Sequence, residues 1–302
     1  MTTITPPVAT IKTDADELPP PLTLWQMAWR RFRRHKLAMF GAFTLIFLFI
    51  YSFGGGLIFT EADANFTDTS LRLQGPSLAH PFGTDTVGRD ILARTVQGGR
   101  ISLLIGLTAV ALEIVVGVMI GAIAGYFGGM TDSILMRFTE AMLIIPSIFL
   151  LIVMATIVGG SVSMIIIIIA LTSWMYTARI VRAQFLGTKE NEYILAAKAI
   201  GTPTWQIIFK HILPNCMAPI IVSATLGVAT AILYEAYISF LGLGVQPPTA
   251  TWGNMLDGSY NYIETAPWLW IFPGLFILLT VLSINFLGDG LRDALDPRSR
   301  AV

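Results

Sequence analysis

Long apolar runs alternate with short polar segments along this chain, on a scale far coarser than the period of an amphipathic helix or strand. The first run, LAMFGAFTLIFLFIYSFGGGLIF, covers residues 37–59, and others follow at 101–123, 133–158, 162–179, 218–237 and 268–287. The 162–179 run holds an unbroken string of isoleucines from Ile165 to Ile169. About 20 apolar residues cross the hydrocarbon core of a bilayer as a helix. The pattern therefore predicts an all-α polytopic membrane protein with six transmembrane helices, its two termini on the same side.

Charge placement orients this bundle, because loops rich in Lys and Arg are retained in the cytoplasm. The first run is preceded by WRRFRRHK, in which Arg30, Arg31, Arg33, Arg34 and Lys36 crowd against it. With that end inside, only Arg72, Arg89, Arg94 and Arg100 of the 19 Lys and Arg fall outside. The expected organisation is a cytoplasmic tail 1–36, a first span 37–59 and an outer segment 60–100. A core of five spans, 101–290, and a cytoplasmic tail 291–302 complete it. The outer segments 60–100 and 242–267 are rich in Gly, Pro and Asp, as turn-built structure is, and predict a compact cap with short helices. The residues before Thr23 have little to bury.

Composition narrows the class further. Hydrophobic residues make up 54% of the chain and charged residues only 13%, about half the charged share of a soluble protein. A net charge of zero leaves no basic footprint for nucleic acid. A single cysteine, Cys216, forms neither an intrachain disulfide nor a Cys-based metal cluster. His35, His80 and His211 are too scattered for a metal site, so no metal or cofactor is expected in this chain. The polar start and the length of the first run predict no cleavable signal peptide. No Gly-x-x-x-x-Gly-Lys-Ser/Thr loop occurs to cradle ATP phosphates, and no nucleophile arrangement is convincing. The chain is expected not to be an enzyme.

One polar segment is too elaborate for a connector. Between the fourth and fifth runs, Thr188 is placed to cap a helix carrying Glu190 and Glu192 in its first turn. Tyr193, Ala197 and Ile200 then recur at helical spacing as one apolar face. Gly201 stands where a helix takes its left-handed terminal residue, and Thr202 with Pro203 opens a second helix that ends or bends at Pro214. Small residues at Ala196, Ala197 and Gly201 leave room for a partner to come close.

Other positions invite chemistry. Gly117, Gly121 and Gly125 form a small-residue ridge, read either as a sliding interface between subunits or as tight packing within one. Glu113, Glu140 and Glu235 fall at membrane depth, where ionisable groups mark pathways or relays by default. Glu113 lies near mid-span, Glu140 is explained by a local pair with Arg137, and Glu235 fits a packing or gate role. Asp85, Arg89 and Asp90 read as a turn held by side-chain hydrogen bonds, and Trp252 as an interfacial anchor.

At the elbow the sequence resembles a known family. Ala196-Ala197-Lys198-Ala199-Ile200-Gly201, followed by His211-Ile212-Leu213-Pro214, is similar to the EAA loop of ABC importer permeases. Leu195 stands where the signature has Glu, and His211 where Ile is usual. HPFGTDTVGRDILARTVQGGRISL (80–103), SFLGLGVQPPTATWGNML (239–256) and GDGLRDALDPR (288–298) resemble the C-type permease of dipeptide, oligopeptide and nickel importers. The resemblance implies the type I ABC importer permease fold, a heterodimer with a B-type permease, two ATP-binding subunits holding ATP and Mg, and an extracytoplasmic substrate-binding protein. It implies a bacterial inner membrane location. Segment 188–214 becomes the coupling element, with Glu192, Ala196, Ala197, Gly201, Pro203, His211, Leu213 and Pro214 at the ATPase contact. Peptides are the implied solute, with nickel chelates and haem within the same family. The rival is a proton-coupled carrier or channel acting alone, for which three scattered Glu without a deep cation make a thin relay.

Overall fold

The computed structural model describes residues 23–295; the readings for the first 22 residues and for the end of the 288–298 motif lie outside them. Among the described residues every named element is helical, and only one isolated bridge, Thr84 to Asp90, pairs extended backbone. α1 (Leu24–Arg34) opens with a capping box in which Thr23 and Gln26 satisfy each other's backbone N–H. The segment expected as a tail thus ends in an amphipathic basic helix, and Phe32 on its inner face packs with Ala38 and Ala294.

α2 (Lys36–Phe49) runs on through a wide turn to Gly54, giving one continuous span Lys36–Gly54. Phe40, Phe43, Ile46, Phe47 and Ile50 on its outer side are exposed, a face that only lipid or another apolar surface can cover. α3 (Glu61–Asn65) belongs to the cap.

α4 (Ile91–Phe127) is the spine of the molecule. It starts well before the expected 101, capped by Asp90, whose Oδ1 accepts the Ala93 N–H at 3.0 Å. The correction has a tertiary cause. Gly98 and Gly99 lie inside it because a loop packs on them: a side chain at Gly99 would collide with Ser52 and Trp252, and one at Gly98 would press on the Thr251 backbone at 3.1 Å. The boundary drawn at residue 100 between outer segment and core therefore falls inside a helix.

The third run also differs from expectation. It divides into α5 (Gly129–Ile144) and α6 (Ser147–Val158), bent by 85° at the break. Pro146 supplies the reason, since its ring disfavours helix at the residue before it and Ile145 is extended. Among the described residues, five helices are thus long and apolar enough to cross a membrane, or six with the bent pair counted as one.

α7 (Val162–Thr188) packs along α4 through the glycine ridge. A Cβ on Gly117 would lie 2.7 Å from Thr177, one on Gly121 2.4 Å from the Ala178 carbonyl, and one on Gly125 2.6 Å from Phe185. The ridge serves contact within this chain. Ile165, Ile168 and Ile169 of the isoleucine string are buried with Ile105, Leu151 and Ala231, while Ile167 is exposed.

α8 (Glu192–Ala199) and α9 (Thr204–Gln206) form the elbow, and α10 (Met217–Phe240) returns across the bundle. α11 (Trp268–Leu295) closes it against α2, where Gly41 lets the backbone of Ser283 approach. His35 and Asp293 lie 3.7 Å apart, so the two ends of the described chain share one end of the bundle.

Candidate functional site

The elbow is built from a short anchored helix and a left-handed glycine exit. Asn191, not Thr188, precedes α8, since Thr188 closes α7; Glu192 occupies the first turn, exposed. Ile194 and Ala197 form the buried face, correcting the face read from Tyr193, Ala197 and Ile200. Ile194 is fully buried with Val181, Phe185, Ile207 and Ile212. Tyr193, Leu195 and Ile200 point outward instead, Ile200 with 83% of its surface exposed. Ala196 and Gly201 are open to a partner; Ala197 is not.

Gly201 ends α8 at φ 80°, with its N–H on the Lys198 carbonyl and the Thr202 N–H on the Ala197 carbonyl. This pair of bonds satisfies the last carbonyls of the helix and requires a left-handed residue. Pro203 is the residue before α9 rather than its first. Of the two outcomes expected at Pro214, an end or a bend, the helix does not end there, because the chain changes pitch around it. A wide turn, Ile207–Ile212, and a tight one, Leu213–Cys216, carry the axis through, so that Thr204–Phe240 reads as one span. Proline lacks the N–H that its fourth preceding carbonyl would need, and such local changes of pitch absorb the mismatch. Asn215 Nδ2 donates to the His211 carbonyl at 2.6 Å, with His211 and Leu213 half-buried and Pro214 exposed. Lys210 lies over the Trp205 ring and Lys198 over the Tyr126 ring.

A cleft of about 1170 Å³ reaches from this end into the bundle between α7 and α10. Met27, Arg31, Pro214 and Arg292 line it near the elbow, and Glu113, Ser173, Tyr176, Ser223, Thr230 and Tyr234 give it a polar wall. Glu113 is buried, and its Oε1 accepts from Thr177 Oγ1 at 3.1 Å, with Ser223 Oγ 3.3 Å beyond. The hydroxyls were missed in the sequence, although their spacing carries a signal. Ser223 and Thr230 are seven positions apart with Gly227 between, and Ser173 and Tyr176 lie one helical turn apart.

Glu235 is not on the cleft wall. It is fully buried at the opposite end, accepting from Ser239 Oγ at 2.8 Å and Ser102 Oγ at 3.2 Å. Ser102 Oγ in turn accepts the Trp252 N–H at 3.1 Å. Trp252 itself is fully buried, donating from its indole to the Thr95 carbonyl at 2.9 Å and stacking on Phe276, so the anchor expectation is overturned. A buried Trp satisfies its N–H in this way. The carboxylate thus pins the 239–256 segment between α4 and α10.

Asp85, Asp90 and Asp132 hold structure. Asp85 Oδ1 accepts the N–H groups of Val87 and Arg89 at 2.9 Å each, and Oδ2 takes Arg89 Nε at 2.6 Å. His80 Nδ1 meets Asp90 Oδ2 at 2.8 Å. In the first turn of α5, Asp132 forms a bidentate pair with Arg182, and no ion pair joins Arg137 to Glu140 among the described residues.

Comparison with known proteins gives these features a context. Residues 117–301 match the family of binding-protein-dependent transport system inner membrane components, and 23–76 match the N-terminal transmembrane domain of oligopeptide transport permease C. The dipeptide transport system permease protein DppC of Alkalihalophilus pseudofirmus is 44% identical over 277 residues, covering 92% of this chain and 91% of that protein. The oligopeptide transport system permease protein OppC of Haemophilus influenzae is 43% identical over 282 residues, covering 92% and 90%. The fold resembles a chain of the MetNI methionine ABC transporter in an inward-facing crystal form, with TM-score 0.56 and 19% identity over 68% of this chain and 98% of that one. The chain therefore belongs to the inner membrane components of binding-protein-dependent transport systems, as a C-type permease subunit, a transport component and not the ATPase of an ABC importer.

Proposed function

We propose that this permease forms half of the path by which peptides enter a bacterial cell, driven by ATP hydrolysed in separate subunits. Its relatives named for dipeptide and oligopeptide transport support the solute class. In this reading a homologous B-type permease completes the path. Two ATP-binding subunits, which hold ATP and Mg, sit beneath it, and a substrate-binding protein delivers solute from above. The chain resides in the inner membrane with the elbow and both termini on the cytoplasmic side. The basic residues of α1 lie at that same end, as the retention of positive loops requires.

The observation that carries the reading is the construction of the elbow. α8 is fastened inward by Ile194 while Tyr193, Leu195 and Ile200 are held out, uncovered. Exposed apolar side chains on a rigidly positioned helix mark a docking surface. Segment 188–214 acts as the coupling element, with Glu192, Ala196, Gly201 and Pro203 at or beside the contact. Ala197, His211, Leu213 and Pro214 transmit its motion into α10. Because Thr204–Phe240 is one span, displacement of the elbow moves a wall of the cleft directly. The two states that result must differ in their contacts with nucleotide-bound and free subunits.

Reconstitution tests this. The chain, a B-type permease and two ATP-binding subunits in liposomes, supplied with a binding protein, are expected to import trialanine only with ATP. Import by the chain alone under a pH gradient would favour a solitary carrier.

A further inference from the structure

Among the described residues, Glu113 is the one carboxylate on the wall of the cleft, and its surroundings are unlike those of Glu235. The Glu235 carboxylate accepts from two serines and is closed over by packed helices. Glu113 accepts a single hydrogen bond from a side chain, Thr177 to Oε1. Its other oxygen, Oε2, lies beside Gly227, where an added methyl group would meet it at a contact distance of 3.5 Å. No Lys, Arg or His among the described residues forms an ion pair with it. A carboxylate at membrane depth is expensive without a compensating charge. Glu113 and Gly227 both line the cleft, whose arginines, Arg31 and Arg292, lie towards the elbow and form no ion pair with this carboxylate.

A second observation points into the same space. Ser173, one helical turn from Thr177, lines the cleft, and its Oγ is buried without a hydrogen-bond partner. Such orphaned hydroxyls are rare in folded proteins. Ser223, which lies 3.3 Å from Thr177 Oγ1, lines the cleft as well. The wall therefore offers one anionic acceptor and two hydroxyl oxygens. A primary ammonium group brings one positive charge and three N–H donors, which suits that set.

We propose that Glu113, with Ser173 and Ser223, forms a subsite that holds the amino-terminal ammonium group of a peptide in transit. The proposal rests on the peptide reading given above. An α-ammonium is shared by unmodified peptides whatever their side chains, so a subsite for it serves a mixed solute class. It offsets the cost of carrying the charge through a low-dielectric path. The attraction is charge-assisted, and such hydrogen bonds are the stronger kind.

The test uses the full reconstituted complex with its binding protein and compares wild type with E113Q and E113D. Glutamine keeps an oxygen to accept from Thr177 but removes the charge. Import of trialanine, whose only ammonium is at its amino terminus, is expected to fall about tenfold in E113Q, the order of one lost charge-assisted bond. E113D, which keeps the charge, is expected to retain most of it. Wild-type import of trialanine at the same rate as E113Q would overturn the subsite while leaving the peptide function standing. A defect seen with Ala-Lys-Ala but not with trialanine would also overturn it, assigning the contact to a lysine side chain. Absence of trialanine import by the wild-type complex would instead contradict the peptide reading itself. If E113Q fails to assemble, S173A provides the second reading, since it removes a group that holds nothing else in place. An unchanged import rate in S173A would then count against the proposal.

Discussion

Ser102 and Glu235 stand 133 positions apart in the sequence and share a buried hydrogen bond of 3.2 Å between α4 and α10. The same serine accepts the Trp252 N–H, so one hydroxyl joins two spans and the loop that covers them. Its removal leaves a buried N–H and a carboxylate oxygen without that partner, a loss of about 1–3 kcal/mol for each unsatisfied group. S102A is expected to lower the thermal unfolding midpoint of the detergent-solubilised complex. S163A, at the exposed start of α7, is the matched control and is expected to leave it unchanged.

Close packing of α4 on α7 makes a second prediction. A methyl group at Gly121 would meet a backbone carbonyl at 2.4 Å, which cannot swing aside as a flexible side chain can. G121A is expected to cost about 1–3 kcal/mol through overpacking, read as reduced yield and an earlier unfolding midpoint. Gly187, near the end of α7, has open space around it. G187A is expected to be neutral or to stabilise by up to about 1 kcal/mol through helix propensity.

At the elbow, Gly201 is surrounded by open space but holds φ 80°. Alanine there is strained by about 1–2 kcal/mol in its backbone alone, whereas asparagine tolerates the left-handed region better. G201A is expected to reduce import per ATP hydrolysed, and G201N to recover part of it. Equal coupling in all three proteins would show that the shape of this exit does not matter.

Ile194 is the pin that seats α8 in the bundle. I194A creates a cavity costing about 2–5 kcal/mol, and its effect should concentrate where the elbow meets the core. Binding of the ATP-binding subunits in a pull-down is expected to weaken, while E113Q, deep in the cleft, is expected to leave that binding intact.

The six apolar runs were legible because a bilayer demands length, and length survives any detail of packing. Glycine positions were legible too, and Gly201 adopts the left-handed backbone its place in the pattern requires. Helix ends were not, where neighbours overrode local signals. The apolar pattern starts the second run at 101, yet α4 begins at Ile91 and carries Gly98 and Gly99 inside it, where the Trp252 loop packs against them. Pro146 carried a visible signal for the bend after Ile144, but the apolar run around it hid that signal. Trp252 looked like an interfacial residue since nothing in its local sequence reveals the Thr95 carbonyl it meets. The buried face of α8 was misassigned for a related reason: Tyr193 and Ile194 are both apolar, and only the packed core decides which turns inward. The cleft hydroxyls lie on two helices whose proximity is a property of the fold.

A cysteine at position 200 provides the most direct test of the claim that this elbow receives force from an ATP-hydrolysing subunit. In the cysteine-bearing complex, with Cys216 replaced by Ser, a short thiol crosslinker in membrane vesicles is expected to join the I200C variant to an ATP-binding subunit. The yield is expected to change when nucleotide is added. Crosslinks only to the binding protein, or labelling of that cysteine by an impermeant reagent from the periplasmic side, would contradict the account.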